Sequence, residues 1–279
     1  MVVIRQLKII SSFMKRVPLI LSFIICYLSI SAQVPATIQR AILNEPNQRT
    51  EEVSTEELRQ ILEGGTVFIF DARPSLEFAI SHIPGARNVP AKPNTLMSEY
   101  VPDVAEIGKA VDGNMNAPMI LYCNGPYCGK SKRLAEELFA AGYTKVRRYQ
   151  LGIPVWRALG GICQIEEEGL RYILEQDRTA VVIDVRESEQ FRSGTLSGAR
   201  NIPRSLVLEG KDVGEIKRAK NDVRLPMEDH NTRIIVVGND ASTARYVAQA
   251  IAFEAFDNVA YFSGTFAKVK AIDDTIQRH

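Results

Sequence analysis

Residues 58–90, LRQILEGGTVFIFDARPSLEFAISHIPGARNVP, return at 170–203 as LRYILEQDRTAVVIDVRESEQFRSGTLSGARNIP. Leu58, Arg59, Ile61, Leu62 and Glu63 match Leu170, Arg171, Ile173, Leu174 and Glu175 at an offset of 112. Asp71, Arg73, Phe78, Gly85, Ala86, Arg87, Asn88 and Pro90 match Asp184, Arg186, Phe191, Gly198, Ala199, Arg200, Asn201 and Pro203 at 113. Matches held in register over such a stretch mean one structural unit used twice. The 279 residues suit two domains, expected over 51–161 and 162–279.

Each copy opens on a short helical pattern, STEELRQIL or EEEGLRYIL, and runs into an apolar strand, TVFIF or AVVID. APMILY and RIIVV read as second strands, and KVRRY and NVAYF as returning ones. Between them SKRLAEELFAAG puts Leu134, Ala135, Leu138 and Phe139 on one helical face and ends at Gly142. All-apolar strands alternating with helices predict an α/β fold: two domains, each a mostly parallel central sheet with helices on both faces. In such sheets ligands bind at the carboxyl ends of the strands. Cys123 stands at such an end, followed by the turn residues Asn124, Gly125 and Pro126.

The charge balance, 34 Lys and Arg against 33 Asp and Glu, supplies no broad basic surface for nucleic acid. Four cysteines are too few for a disulfide scaffold, and His82, His230 and His279 lack zinc-site spacing. No metal is therefore expected. The N-terminus differs in kind. Lys15 and Arg16 precede an apolar stretch, Val17 to Ile30, closed by Ser31 and Ala32. This is the pattern of an export signal over residues 1–32, and a start at Met14 gives it a more typical length. The apolar stretch is shorter than the roughly 20 residues of a membrane span, and an uncleaved anchor is the alternative, given the further apolar residues before Lys15. A linker is expected over 33–50, and the mature protein in the periplasm or secreted, with no stable span once the signal is cleaved. Cys26 lies within the signal.

Cys123 precedes a helix whose N-terminus carries partial positive charge, and Lys130, Lys132 and Arg133 add formal charge. Such surroundings favour a thiolate, the nucleophilic form. The second copy has Gly238 where the first has Cys123, and a loop two residues shorter measured to Ala135 and Ala248. His82 and Pro84 become Thr195 and Ser197, and Trp156 aligns with Lys268. The second domain therefore lacks the nucleophile. Asp71 and Arg73 persist as Asp184 and Arg186 in that copy, which makes them fold-stabilising, paired with the chain near Arg87 or Arg200.

Asp71-x-Arg73, Phe78, HIPGA at 82–86, Cys123 after a strand and LGIPVW at 151–156 together resemble the rhodanese family of sulfurtransferases in its tandem two-domain form. The resemblance covers about residues 50–279. It implies a Cys123 persulfide, held in a loop whose backbone amides point at it. The loop residues Asn124, Gly125, Pro126, Tyr127, Cys128, Gly129, Lys130 and Ser131 would bind substrate, with His82, Arg73 and Trp156 as accessory candidates. The implied reaction takes sulfur from thiosulfate or a related sulfane-sulfur donor and passes it to cyanide or a thiol, without a cofactor. The family loop has six residues from the cysteine; this one is about two longer, which suits a larger donor or acceptor.

Other readings stay open. A cysteine phosphatase wants arginine six residues after the cysteine, where Gly129 stands. A thiol–disulfide redox protein could use Cys123 and Cys128, although four residues separate them instead of two. A non-catalytic sulfur-carrier or protein-binding module is the remaining alternative. Cys163, in GGICQI, reads as structural, and the sequence leaves open its pairing with a loop cysteine.

Overall fold

The computed structural model describes residues 37–46, 48–96 and 98–278. The expected export signal, Cys26 and His279 lie outside the described residues. The first repeat folds as β1 (Glu51–Glu52), α1 (Thr55–Gly64), β2 (Phe68–Asp71), α2 (Ser75–Ile80), β3 (Arg87–Asn88), α3 (Val104–Ala110), β4 (Met119–Tyr122), α4 (Lys130–Ala140), β5 (Val146–Tyr149) and α5 (Gly152–Ala158). The second folds as β6 (Cys163–Ile165), α6 (Glu167–Gln176), β7 (Val181–Asp184), α7 (Ser188–Ser193), β8 (Arg200–Asn201), α8 (Gly214–Asn221), β9 (Ile234–Val237), α9 (Ala241–Ala252), β10 (Val259–Phe262) and α10 (Phe266–Ile276). Each repeat builds a five-stranded sheet, ordered β1-β5-β4-β2-β3 and β6-β10-β9-β7-β8, and every pairing of these strands is parallel. The α/β expectation holds, and the two sheets repeat one topology.

Successive residues of a strand point to opposite faces, and the cores follow that period of two. In β4, Met119 and Leu121 face α3 and α4, while Ile120 and Tyr122 face the other way. In β9, Ile234 and Val236 face α8 and α9, while Ile235 and Val237 turn inward. The two inward faces share one apolar layer. Leu58 of α1, Ile153 and Trp156 of α5, Leu170 and Ile173 of α6 and Val269 and Ile272 of α10 belong to it together.

The junction between the domains is also hydrogen-bonded. His82 and Gln164 exchange both backbone bonds, at 3.0 and 2.9 Å, and Glu166 donates its N–H to Ala79 O at 2.7 Å. Residues 79–82 thereby extend the edge of the second sheet beside β6. Helices α2 and α6 pack so closely that a Cβ on Gly169 would overlap the Ala79 carbonyl. Residues 38–46 and 48–50, expected as linker, lie against the first domain: the Arg40 side chain pairs with Glu56 of α1, and Glu45 reaches the buried Arg148 at 3.1 Å. No helix among the described residues is long and apolar enough to cross a membrane.

Gly169→Leu is expected to lower the unfolding free energy by about 1–3 kcal/mol, the usual cost of overpacking a tight contact. Urea denaturation read by Trp156 fluorescence checks this, since Trp156 lies in the shared layer; an unchanged midpoint would mean that α2 and α6 do not hold the domains together.

Candidate active site: the Cys123 loop

Strand β4 delivers Cys123 to its carboxyl end, where the residue is 2% exposed. The loop runs from Cys123 to Gly129, and α4 begins at Lys130, one residue before the position the sequence suggests. Gly125 has φ +106°, a value that favours glycine, and a turn closes when Cys128 N–H donates to Gly125 O at 3.0 Å. Tyr127 at the tip is fully exposed, and Cys128 is half-buried. Cys123 and Cys128 are joined as a disulfide, with Cα atoms 6.3 Å apart. Cys163 is free, buried in the shared layer, and burial pushes its thiol pKa up. Of the pairings the sequence leaves open, the structure therefore takes the local one.

The loop is braced from three sides. Ile153 N–H donates to Cys123 O at 3.2 Å, so the 151–156 stretch packs on the loop as its sequence position suggests. Gly152, at φ +68°, allows this approach: a Cβ there would overlap Gly125 N and come within 2.5 Å of Cys123 O. Gln150 Nε2 donates to Pro126 O at 3.0 Å, and Gln150 itself meets Arg148 and Glu45. Asn124 Nδ2 donates to Glu77 Oε2 on α2 at 2.6 Å. That last contact recurs in the second domain as Asn239 to Gln190, at 3.4 Å. Gln150, Glu45 and Glu77 carry no motif; only the matching positions of Glu77 and Gln190 in the repeat signal one of them.

Gly129 is the N-cap of helix α4 and offers no side chain, so no side-chain cap accepts from the helix's first amides. Lys130 is half-buried, Ser131 buried, and Lys132 and Arg133 exposed. Helix α9 of the second domain differs. Asp240 caps it, accepting from Thr243 N–H at 2.9 Å and from the hydroxyls of Ser242 and Thr243. These bonds pull the Asp240 pKa to about 2. A fixed carboxylate thus stands where an anion would otherwise find the helix N-terminus.

The two copies also differ beneath the loop. Ala72 N–H donates to Tyr122 O, and Val185 N–H to Val237 O, so Ala72 and Val185 are equivalent positions. Both are wholly buried. A Cβ on Gly238 would meet Val185 Cγ2 at 2.8 Å. Alanine at 72 goes with a side chain at 123, and valine at 185 goes with none at 238. The sequence contains this exchange, but only the strand pairing brings its two positions together.

The three accessory candidates occupy the junction and the core. The Asp71 carboxylate, fully buried, accepts from the Arg73 backbone N–H at 2.9 Å and from its guanidinium at 2.6 Å. Arg73 also donates to Ser81 O at 2.5 Å. Asp184 and Arg186 repeat the pair. The motif pairs with the chain near Arg87 and Arg200, as expected, but not through those arginines, which bond the carbonyls of Ala110 and of Val223 and Arg224. Asn88 and Asn201 are the neighbours that bind the motif, each donating to the backbone of its Asp and Arg. Trp156 Nε1 donates to Ile162 O at 2.9 Å. Since β5 and β10 end at Tyr149 and Phe262, Trp156 corresponds to the buried Val269 and not to Lys268. His82 stacks on Phe78 with centroids 3.9 Å apart, and its Nδ1 lies 3.0 Å from Phe78 O. Its Nε2 is 3.4 Å from Glu166 of the second domain. Among the described residues no cluster of side chains could hold a metal ion.

Two parallel α/β domains, one with a cysteine at a central strand's carboxyl end, place that cysteine where such sheets bind ligands. Residues 54–159 and 168–272 match the Rhodanese-like domain family, and the chain belongs to it. An HTH-type transcriptional regulator of Mycobacterium tuberculosis is 31% identical over 108 residues, covering 39% of this chain and 42% of that protein. Thiosulfate sulfurtransferase from Pseudomonas aeruginosa is similar over 76% of this chain and 43% of its own, at 20% identity and TM-score 0.35. A persulfide form of EanB with ergothioneine is similar over 79% of this chain and 61% of its own, at 17% identity and TM-score 0.36. The chain spans less than two thirds of each of these three.

Burial holds the His82 pKa below its ordinary value, although the Phe78 carbonyl and the Glu166 and Asp71 carboxylates partly oppose this. A histidine buried neutral contributes stability that is present above its unfolded pKa of about 6.5 and is lost as pH falls toward the folded value. Urea unfolding at pH 7.5 and 5.5 is expected to show a loss at the lower pH that is smaller in His82→Gln. Equal losses in both proteins would contradict a neutral His82. Separately, Gly152→Ala is expected to cost about 1–3 kcal/mol through overlap with the cysteine loop, read as a lower urea midpoint.

Proposed function

We propose that this protein is an exported sulfurtransferase that carries sulfur on Cys123. The observation that carries this reading is the contrast between the copies. One domain offers a cysteine beside a helix N-terminus that no side chain caps. The other has glycine at that place and an aspartate on the helix. Cys123 thiolate attacks the outer sulfur of thiosulfate, or of a related sulfane-sulfur compound. The bond to the sulfonate sulfur breaks, sulfite departs with the electron pair, and Cys123 holds a persulfide anion. An acceptor such as cyanide or a thiol then takes the outer sulfur, so the reaction divides into two half-reactions. Developing negative charge falls beside the first amides of α4, with Lys130, Lys132 and Arg133 nearby. The lengthened loop supports a larger persulfide or polysulfide as an alternative to thiosulfate. The second domain braces the first. Export follows from residues 1–32, and the disulfide suits an oxidising compartment.

The Cys123–Cys128 bond also favours a second reading, a thiol–disulfide redox protein with no sulfur carrier. Single-turnover release of sulfite separates the two. Reduced protein freed of reductant and mixed with thiosulfate should release about one sulfite per chain, as a covalent first half-reaction requires. Cys123→Ser and the oxidised protein should release none. No sulfite from reduced protein given thiosulfate and, in Cys128→Ser, no sulfur atom gained from a polysulfide would leave the redox reading.

A further inference from the structure

Cys128 has no part in the two half-reactions above, yet the loop is built to bring it to Cys123. Its N–H bond to Gly125 O folds the chain back, Gly125 takes the positive φ that this needs, and Gln150 fixes Pro126 inside the turn. The second domain has no such turn: Gly238, Asn239 and Asp240 lead straight into α9. Residues 123 to 128 therefore form a device of the active copy alone. A thiol that reaches bonding distance of Cys123 Sγ in the disulfide is also placed to attack that same sulfur when it carries a second sulfur atom.

We propose that Cys128 is the resolving nucleophile of the Cys123 persulfide, so that the protein releases hydrosulfide and takes a dithiol reductant as its second substrate. The inference rests on the sulfur-transfer reading. Cys128 sulfur attacks Cys123 Sγ, the bond from Sγ to the outer sulfur breaks, and the outer sulfur leaves with the electron pair. The Cys128 thiol proton goes to the departing sulfur, giving HS⁻ and the Cys123–Cys128 disulfide. Thiosulfate has then been converted to sulfite and hydrosulfide, at the cost of the two loop thiols. A dithiol restores them. It attacks the half-buried Cys128 sulfur, expels Cys123 as thiolate into its place beside α4, and its second thiol then displaces Cys128, leaving the dithiol as a disulfide. An intramolecular thiol acts at an effective concentration in the millimolar range or above, ahead of dilute external acceptors.

The test uses the mature protein, fully reduced, freed of reductant and kept anaerobic, then given thiosulfate or, in parallel, inorganic polysulfide, with no acceptor. With thiosulfate, the expected result is one sulfite and one hydrosulfide per chain, with an intact mass lower by two hydrogens. Cys128→Ser and Cys128→Ala should instead release sulfite, gain one sulfur atom and yield less than about a tenth of the hydrosulfide, because the attacking thiol is gone. Wild-type protein that releases sulfite and keeps the added sulfur, as the variants do, overturns the resolving role and leaves sulfur transfer standing. Failure of both donors to load wild-type and variant protein overturns the sulfur-transfer reading and this inference with it.

Discussion

One apolar layer is shared by both sheets, and the rest of the structure depends on it. Neither domain covers its inward face alone. Ile120 and Tyr122 of the first sheet and Ile235 and Val237 of the second belong to the same cluster as Leu58, Ile153, Leu170 and Val269 from four helices. Burying one such side chain is worth about 1.5–3 kcal/mol, so separation of the domains would expose far more than a small domain's net stability could offset. The backbone exchange between His82 and Gln164 fixes the orientation of that layer, and the close approach at Gly169 fixes its depth. Buried within it, the Tyr122 phenol accepts the Ile83 N–H and so ties the end of β4 to the junction one residue before Cys123.

The cysteine loop is held by the same frame. Its back rests on Leu151 and Gly152, which lead into α5, and α5 buries Ile153 and Trp156 in the shared layer. Its flank reaches through Gln150 to Arg148 and Glu45, so residues ahead of the first strand contribute to the position of Pro126. A nucleophile on a loop is only as well placed as the groups behind it. Here those groups come from β5, α2, α5 and the N-terminal segment.

Much of this was legible in the sequence, for physical reasons. The repeat gave one fold for two domains, because apolar strands alternating with amphipathic helices have few ways to bury their faces. The place of Cys123 followed from the strand before it and the turn after it. What was not legible depends on pairs distant in the chain. His82 reads as an accessory site candidate, and its place in the domain junction shows only when Gln164 and Glu166 are set beside it. Trp156 aligns with Lys268 in the sequence alone because the 151–156 and 264–269 stretches share too little to fix the register, which the strand ends do fix. Residues 38–50 read as linker because the role of Glu45 is visible only beside Arg148, 103 positions away. The choice of Cys128 over Cys163 as partner needed the turn at Gly125, and Asp71 pairing with Arg73 needed the bend that returns the guanidinium to its own strand end.

Val185 also bears on how far apart the two copies now stand. In the first domain Ala72 leaves room for the Cys123 side chain; in the second, valine has taken that room, and Asp240 has taken the helix end. Restoring cysteine at 238 by a single change would set its Cβ against Val185, and a thiolate formed there would face a carboxylate that stays ionised down to about pH 2. Here two features, Val185 behind position 238 and Asp240 on the helix end, stand against a cysteine at that place. A single change at 238 therefore does not turn the second loop into a copy of the first.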